Sequence, residues 1–90
     1  MARCNAICDF VKDGYTFRTN SQVWIRLARV HAPKLETTEG QKAKMLLVSL
    51  ILKKPVAYEQ VSIDTYGRTL AEVWVNLANV NDYMRAQGYV

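Results

Sequence analysis

The sequence has few residues of the kinds that bind zinc or form disulfides. It contains two cysteines, Cys4 and Cys8, and one histidine, His31, among 90 residues. If both cysteines lie on one strand, they are about 13 Å apart, which is too far for a disulfide between them. Structural zinc takes four ligands, and no further cysteine completes such a site around the histidine. We therefore predict two buried, unpaired thiols, an arrangement that leans towards a reducing compartment without establishing one.

Long hydrophobic runs and flexible stretches are also missing. No apolar run approaches the ~20 residues that a membrane-spanning helix needs. The four glycines and two prolines form no linker or low-complexity segment. The first residues, Met1–Cys4, lack the apolar segment of a signal peptide, which slightly favours a cytoplasmic location. Half of the residues are hydrophobic, so we expect one globular domain over residues 1–90 with a modest core.

The chain carries a surplus of positive charge. Twelve basic residues stand against eight acidic ones, for a formal net charge of +4. Such a surplus favours polyanionic partners such as nucleic acid, and binding of that kind weakens as salt rises. A mildly basic soluble surface explains the same numbers equally well, so charge by itself leaves the partner open.

Alternation of hydrophobic and polar residues predicts five short strands, at residues 6–11, 16–18, 23–28, 56–63 and 70–75. Asp13-Gly14 marks a hairpin turn after the first strand, and Pro33 prevents the third strand from continuing. A short helix is expected over residues 80–87, with Gly88 placed to end it. Five strands with one inserted helix are typical of a small Greek-key barrel of the OB type, a mainly β (α+β) fold.

The inserted helix is predicted from Thr38 to Leu52 and begins at a capping box formed by Thr38 and Gln41. One apolar stripe runs along it at helical spacing: Ala43, Leu46, Leu47, Leu50 and Ile51. A second apolar seam beside that stripe contains Met45, Val48 and Leu52. A small barrel has little surface with which to cover both. Two interpretations therefore stand, a deeply buried helix or a homodimer contact through residues 38–52.

Several groups of residues resemble motifs of the staphylococcal nuclease-like (thermonuclease) family, in that family's order. They are Asp13-Gly14-Tyr15-Thr16, Arg26-Leu27 followed by Ala32-Pro33, Tyr66-Gly67-Arg68-x-Leu70-Ala71, and Val80-Asn81 with Gly88. The resemblance covers nearly the whole chain, from about residue 6 to residue 90, and implies the OB-type barrel. It also implies calcium-dependent hydrolysis of phosphodiesters in active members. Many members continue into another C-terminal helix, so we expect a more open groove here.

At the metal site the chain departs from the pattern that the resemblance implies. The family's two calcium-binding acids align with Tyr15 and His31, and its candidate general base, a glutamate, aligns with Lys34. Calcium prefers oxygen ligands, and a charged Lys34 repels a divalent ion and accepts no proton. We therefore expect a short member with degenerate catalytic residues and with neither metal nor cofactor. A rescued metal site would need the other nearby acids, which are Asp13, Glu36 and Glu39.

The positions that the resemblance assigns to phosphate binding are retained. The family's two phosphate-binding arginines align with Arg26 and Arg68, whose forked donors suit phosphate oxygens. Lys34 adds a third cation, and we expect all three to lack acidic neighbours. Tyr66 aligns with a tyrosine that packs against bound nucleotide, a mode typical of OB folds. The structural alternative is an ion pair for each arginine and a turn contact for Tyr66. We interpret both tryptophans, Trp24 and Trp74, as barrel residues rather than as platforms on which bases stack.

Three functions are consistent with these residues. The first is a non-catalytic module that binds nucleic acid or another phosphate-bearing ligand weakly, as do degenerate nuclease-like repeats in Tudor-containing members of the family. The second is an active phosphodiesterase, either metal-independent through His31 or with a relocated metal. The third is a protein-interaction or oligomerisation domain that uses the double-seamed helix. We expect the first.

Overall fold

Six strands and two helices make up residues 3–90, which is the part of the chain that the computed structural model describes. Met1 and Ala2, which the signal-peptide expectation used, lie outside the described residues. In chain order the elements are β1 (Cys4–Asp13), β2 (Thr16–Thr19), β3 (Trp24–Leu27), α1 (Thr38–Ile51), β4 (Pro55–Ile63), β5 (Thr69–Val75), β6 (Ala78–Asn79) and α2 (Val80–Ala86).

The strands form one sheet that closes on itself. Their order is β3-β2-β1-β4-β5-β6 with antiparallel neighbours, and a parallel pairing of β3 with β5 joins the two sides. In that pairing Ile25 stands opposite Thr69, and Leu27 stands opposite Ala71. The predicted five-stranded OB-type barrel with an inserted helix and a short C-terminal helix is confirmed. The two-residue β6, which pairs with the end of β5, was not predicted.

β1 is longer than its hydrophobic pattern predicts because it pairs with two different strands. Cys4 lies opposite Tyr58 of β4, and Asp13 lies opposite Thr16 of β2. Both cysteines are free, as expected, but only Cys8 is buried, and the prediction of a buried Cys4 is wrong. Burial raises the pKa of the Cys8 thiol to about 11, so this thiol stays protonated at neutral pH.

α1 lies against the barrel through its first apolar stripe. Ala43, Leu47 and Ile51 are fully buried. The capping prediction is wrong by one residue, because the N-cap is Thr37 rather than Thr38. The Thr37 hydroxyl accepts a hydrogen bond from the Gly40 N–H at 2.9 Å, which satisfies one of the helix's free amide donors.

The second seam of α1 is mostly covered within the chain itself. Val48 and Leu52 are partly buried and pack against the core, whereas Met45 is 63% exposed. The seam therefore offers one large exposed side chain rather than three, and a homodimer contact here stays a prediction. No helix in the described residues has the length and apolarity needed to cross a membrane.

α2 is joined to the barrel by a buried asparagine. The carboxamide oxygen of Asn81 accepts a hydrogen bond from the Val73 N–H at 2.9 Å. Its nitrogen donates to the carbonyl oxygens of Ala28 and Ala71 at 3.0 and 2.9 Å. One side chain thus links the residue after β3, the middle of β5 and the start of α2. The helix is followed by Gly88, whose φ of 102° suits a glycine.

Candidate nucleic-acid interface

The β1–β2 turn lies directly against α1 and the loop after β3. A Cβ atom placed on Gly14 would stand 2.6 Å from the Cβ of Ala43 and 2.9 Å from the Cβ of Ala32. Only glycine allows so close an approach. Because Tyr15 follows Gly14 and His31 precedes Ala32, these two predicted positions flank the same contact.

The loop that carries Lys34 is seated on the first turn of α1. The Lys34 carbonyl accepts hydrogen bonds from the N–H and the hydroxyl of Thr37, at 3.0 and 2.7 Å. A Cβ atom on Gly40 would collide with that same carbonyl. The side chain of Lys34 is exposed. The fold therefore places Tyr15, His31 and Lys34, the three positions that the resemblance singled out, around one junction.

The side chains at this junction do not suit calcium. His31 and Lys34 are exposed, and none of the three side chains is a carboxylate, the ligand that calcium commonly takes. The nearby Asp13 is buried and accepts a hydrogen bond from the Tyr15 N–H at 3.1 Å, so it stabilises the turn as expected. Within residues 3–90, no three His, Cys, Asp or Glu side chains stand close enough together to hold a metal ion.

Arg26 projects from β3, with Thr16 opposite it on β2 and Leu70 opposite it on β5. Its guanidinium lies over the ring of Tyr15, with Cζ 4.8 Å from the ring centroid. This cation–π contact orients the group without neutralising it. Among the described residues, no carboxylate lies within ion-pair distance of Arg26.

Arg68 does have an acidic neighbour, so the expectation that it lacks one is wrong. Its Nε donates to the Asp64 carboxylate at 2.6 Å, and its backbone N–H donates to the other carboxylate oxygen at 2.8 Å. Cζ lies 5.4 Å from the ring centroid of Tyr66. The ion pair forms because the 64–68 turn folds back on itself, and it holds the guanidinium in one orientation.

An open pocket of about 510 Å³ lies beside the 64–68 turn, and its wall contains Lys12, Thr16, Trp24, Tyr66 and Arg68. Two of the predicted phosphate-binding residues, Tyr66 and Arg68, line it together, and Tyr66 is 83% exposed. The other two predicted residues, Arg26 and Lys34, do not line it. Sequence reasoning missed Lys12 and Trp24, although strand alternation assigns Trp24 to the same face as Arg26.

Comparison with known proteins identifies the family of this chain. The profile of the family described as staphylococcal nuclease homologue matches residues 24–90. The chain belongs to this family. The match includes the positions of both arginines, His31 and Lys34, and it begins after Tyr15.

Two named proteins are similar to this chain over most of its length. This staphylococcal nuclease homologue is 35% identical over 82 residues to an uncharacterized endonuclease of Haemophilus influenzae, covering 87% of this chain and 46% of that protein. It is 33% identical over 75 residues to Protein ParB of Escherichia coli, covering 73% of this chain and 42% of that protein. The matched segment therefore spans less than half the length of each relative.

The Asp64–Arg68 pair should make the stability of this nuclease homologue depend on pH. Partial burial opposes ionisation of Asp64, but hydrogen bonds from Arg68 and from the Tyr66 N–H hold its pKa below the ordinary 3.8. A carboxyl with a lowered folded pKa stabilises the fold above the unfolded pKa, and this contribution is lost as pH falls through the folded value. We therefore expect Asp64→Asn to flatten the loss of stability that occurs as pH falls from about 5 through the folded pKa of Asp64.

Urea midpoints measured across that range test the expectation. Glu39→Gln is the matched control, because its 3.5 Å ion pair with Lys42 is exposed and contributes little. The control should retain the slope of the unaltered protein. A slope in Asp64→Asn equal to that of the unaltered protein would contradict the role assigned to this pair.

Proposed function

We propose that this domain is a nucleic-acid-binding module that contacts phosphate through Arg26 and Arg68 and does not hydrolyse phosphodiesters with calcium. One observation carries the proposal. Both arginines lie on the outer face of the barrel, and the three residues that the motif resemblance aligns with the family's metal ligands and base, Tyr15, His31 and Lys34, are not carboxylates. On this alignment, the phosphate-binding positions have their two arginines, and the metal-binding positions lack carboxylates.

The two guanidinium groups are oriented before any ligand arrives. Arg26 is held by the ring of Tyr15, and Arg68 is held by Asp64 through Nε. Within the described residues, the terminal nitrogens of Arg68 make no hydrogen bond. They are free to donate to phosphate oxygens, for which a guanidinium is well shaped. The net charge of +4 favours the same class of ligand, as does the relative named an endonuclease.

Lys34 is the strongest argument against calcium chemistry. Two like unit charges 4 Å apart at an effective dielectric constant of 20 repel by about 4 kcal/mol, and a divalent ion doubles that figure. A carboxylate at this position would attract the ion by a similar amount. His31 supplies no oriented general base in this proposal, because no hydrogen bond or ion pair among the described residues fixes its imidazole. Its backbone N–H donates to the Tyr89 carbonyl.

Binding to a labelled single strand of about twelve nucleotides tests the proposal at about 50 mM and about 200 mM salt. We expect Arg26→Gln and Arg68→Gln each to weaken binding about tenfold and to lower the salt dependence by about one phosphate contact. Arg29→Gln removes the same charge from an arginine whose terminal nitrogen is already paired with Glu72 at 2.9 Å, and should change affinity little. Binding that is absent, or indifferent to salt, would overturn the proposal.

A cleavage assay on the same protein tests the second claim of the proposal, that the domain does not hydrolyse phosphodiesters with calcium. Single- and double-stranded DNA should remain intact at millimolar calcium, with no difference on adding a chelator. The triple variant Tyr15→Asp, His31→Asp and Lys34→Glu should gain calcium binding, which calorimetry detects without any need for activity. Cleavage by the unaltered protein that a chelator abolishes would contradict the loss of calcium chemistry while leaving phosphate binding in place.

A further inference from the structure

A row of two aromatic rings and one guanidinium crosses the outer face of β1, β2 and β3. Phe10 stands opposite Arg18, and Arg18 stands opposite Trp24. The two rings meet edge to face, with centroids 6.2 Å apart and planes at 87°. The Cζ of Arg18 is 5.6 Å from each centroid. We call these three residues the outer aromatic row.

The barrel does not need these rings for its core. Phe10 is 43% and Trp24 is 37% exposed, while their neighbours on the inner face, Val11 and Ile25, are buried. Trp24 is a barrel residue by its position on β3, but it lies outside the core cluster. Large aromatic side chains placed side by side on a surface are typical of binding sites rather than of solvent-facing sheet.

The cation in the row retains capacity for a partner. The nearest carboxylate, on Asp9, lies 3.7 Å from a terminal nitrogen of Arg18, which is too long for a hydrogen bond. Its Nε is buried and has no hydrogen-bond partner among the described residues. The guanidinium is thus positioned by the two rings, and its charge is incompletely neutralised.

The outer aromatic row is continuous with the pocket beside Arg68. Trp24 belongs to both, and the pocket adds Lys12 and Tyr66. A row across three strands is about 10 Å wide, because neighbouring strands lie about 4.8 Å apart. The combined surface therefore alternates rings and cations over a distance that suits a short stretch of extended polyanion.

We propose that the outer aromatic row binds unpaired bases of a single-stranded nucleic acid whose phosphates contact Arg68 and Lys12. The inference rests on the proposed phosphate-binding function and extends it to the bases. The cations select a polyanion, and the rings select one whose bases have free faces, which a duplex does not offer. Stacking of this kind is tolerant of sequence and is used with site sizes from roughly four nucleotides in OB folds.

Tryptophan fluorescence reports directly on the row. In a Trp74→Phe variant, Trp24 is the one remaining tryptophan of the sequence. We expect an oligothymidine of about eight nucleotides to quench its emission, and an abasic strand of equal length and charge to leave the emission unchanged. Binding of oligothymidine without quenching, or equal quenching by both strands, would overturn base stacking at Trp24.

Variants separate this inference from the function beneath it. Trp24→Ala and Phe10→Leu should each weaken oligothymidine binding about tenfold and abasic binding less than twofold. Tyr83→Ala removes an exposed ring from α2 and should change neither. If Arg68→Gln weakens the binding of both strands and Trp24→Ala weakens the binding of neither, phosphate binding is supported and base binding by the outer aromatic row is contradicted. If the unaltered protein binds neither strand, the proposed function fails. If a variant does not fold by circular dichroism, the quenching result decides.

Discussion

Replacing Asn81 by alanine should lower the free energy of unfolding by about 3–5 kcal/mol. The side chain is 1% exposed and makes three hydrogen bonds, to Val73, Ala28 and Ala71. Alanine would leave the buried Val73 N–H and the Ala28 carbonyl without these partners, at about 1–3 kcal/mol each. The Ala71 carbonyl keeps a second bond from the Ala28 N–H, so its loss is smaller.

Urea unfolding monitored by circular dichroism measures this effect. A loss of that size is a large fraction of the roughly 5–15 kcal/mol that stabilises a typical domain. Asn5→Ala is the matched control, because Asn5 is an exposed asparagine in β1, and its replacement should stay within about 0.5 kcal/mol. A loss below about 1 kcal/mol in Asn81→Ala would show that α2 is not held through this carboxamide.

Gly40→Ala should destabilise the protein by about 1–3 kcal/mol, although alanine ordinarily stabilises a helix interior by about 1 kcal/mol relative to glycine. The added Cβ would collide with the Lys34 carbonyl and approach the Pro33 carbonyl oxygen to 2.9 Å. Both obstacles are backbone atoms, which yield less readily than a flexible side chain. The substitution should also displace the loop that carries Lys34.

Lys42→Ala, on the exposed side of the same helix, controls for helix propensity and should change stability by at most about 0.5 kcal/mol. Urea midpoints of both variants give the comparison. A Gly40→Ala protein that is more stable than the unaltered one would show that the loop after β3 is free to move away from α1, and that the junction is looser than its contacts imply.

The junction between the β1–β2 turn, the loop after β3 and α1 is formed by backbone atoms and small side chains. Gly14, Ala32, Ala43 and Gly40 are small residues whose contacts hold the turn, the loop and the helix together. None of these contacts depends on whether the neighbouring side chain is a carboxylate, a phenol or an ammonium. The fold therefore fixes where these residues stand, whereas the chemistry of their side chains determines what the site can do.

Local patterns predicted most elements because each strand shows one face to the core. The ends were less predictable. β1 extends to Cys4 because β4 pairs with it there, and nothing in residues 4–6 alone indicates a partner 50 residues away. The N-cap is Thr37 rather than Thr38 because the Thr37 hydroxyl also donates to the Lys34 carbonyl. Adjacent threonines look alike as caps until that loop is in place.

The candidate site was also only partly visible in the sequence. Motif resemblance singled out Arg26, Arg68 and the three junction residues, which are Tyr15, His31 and Lys34. An ion pair for Arg68 was considered only as the structural alternative, and Asp64 was not named as its partner, although an aspartate that opens a tight turn commonly accepts bonds from the amides that follow it. Trp24 was missed for a different reason. Alternation placed it on the face opposite the core, but not beside Phe10, which is 14 positions earlier in the chain.

The sequence by itself predicted the family and the order of five strands and two helices, and residue identity alone puts no carboxylate at Tyr15, His31 or Lys34. These depend on residue identity and short-range spacing, which folding does not alter. The tertiary structure alone decided that Arg26 rests on the ring of Tyr15, and that Phe10, Arg18 and Trp24 form one row. Those facts depend on strand register, and register is set by pairing between segments that are distant in sequence.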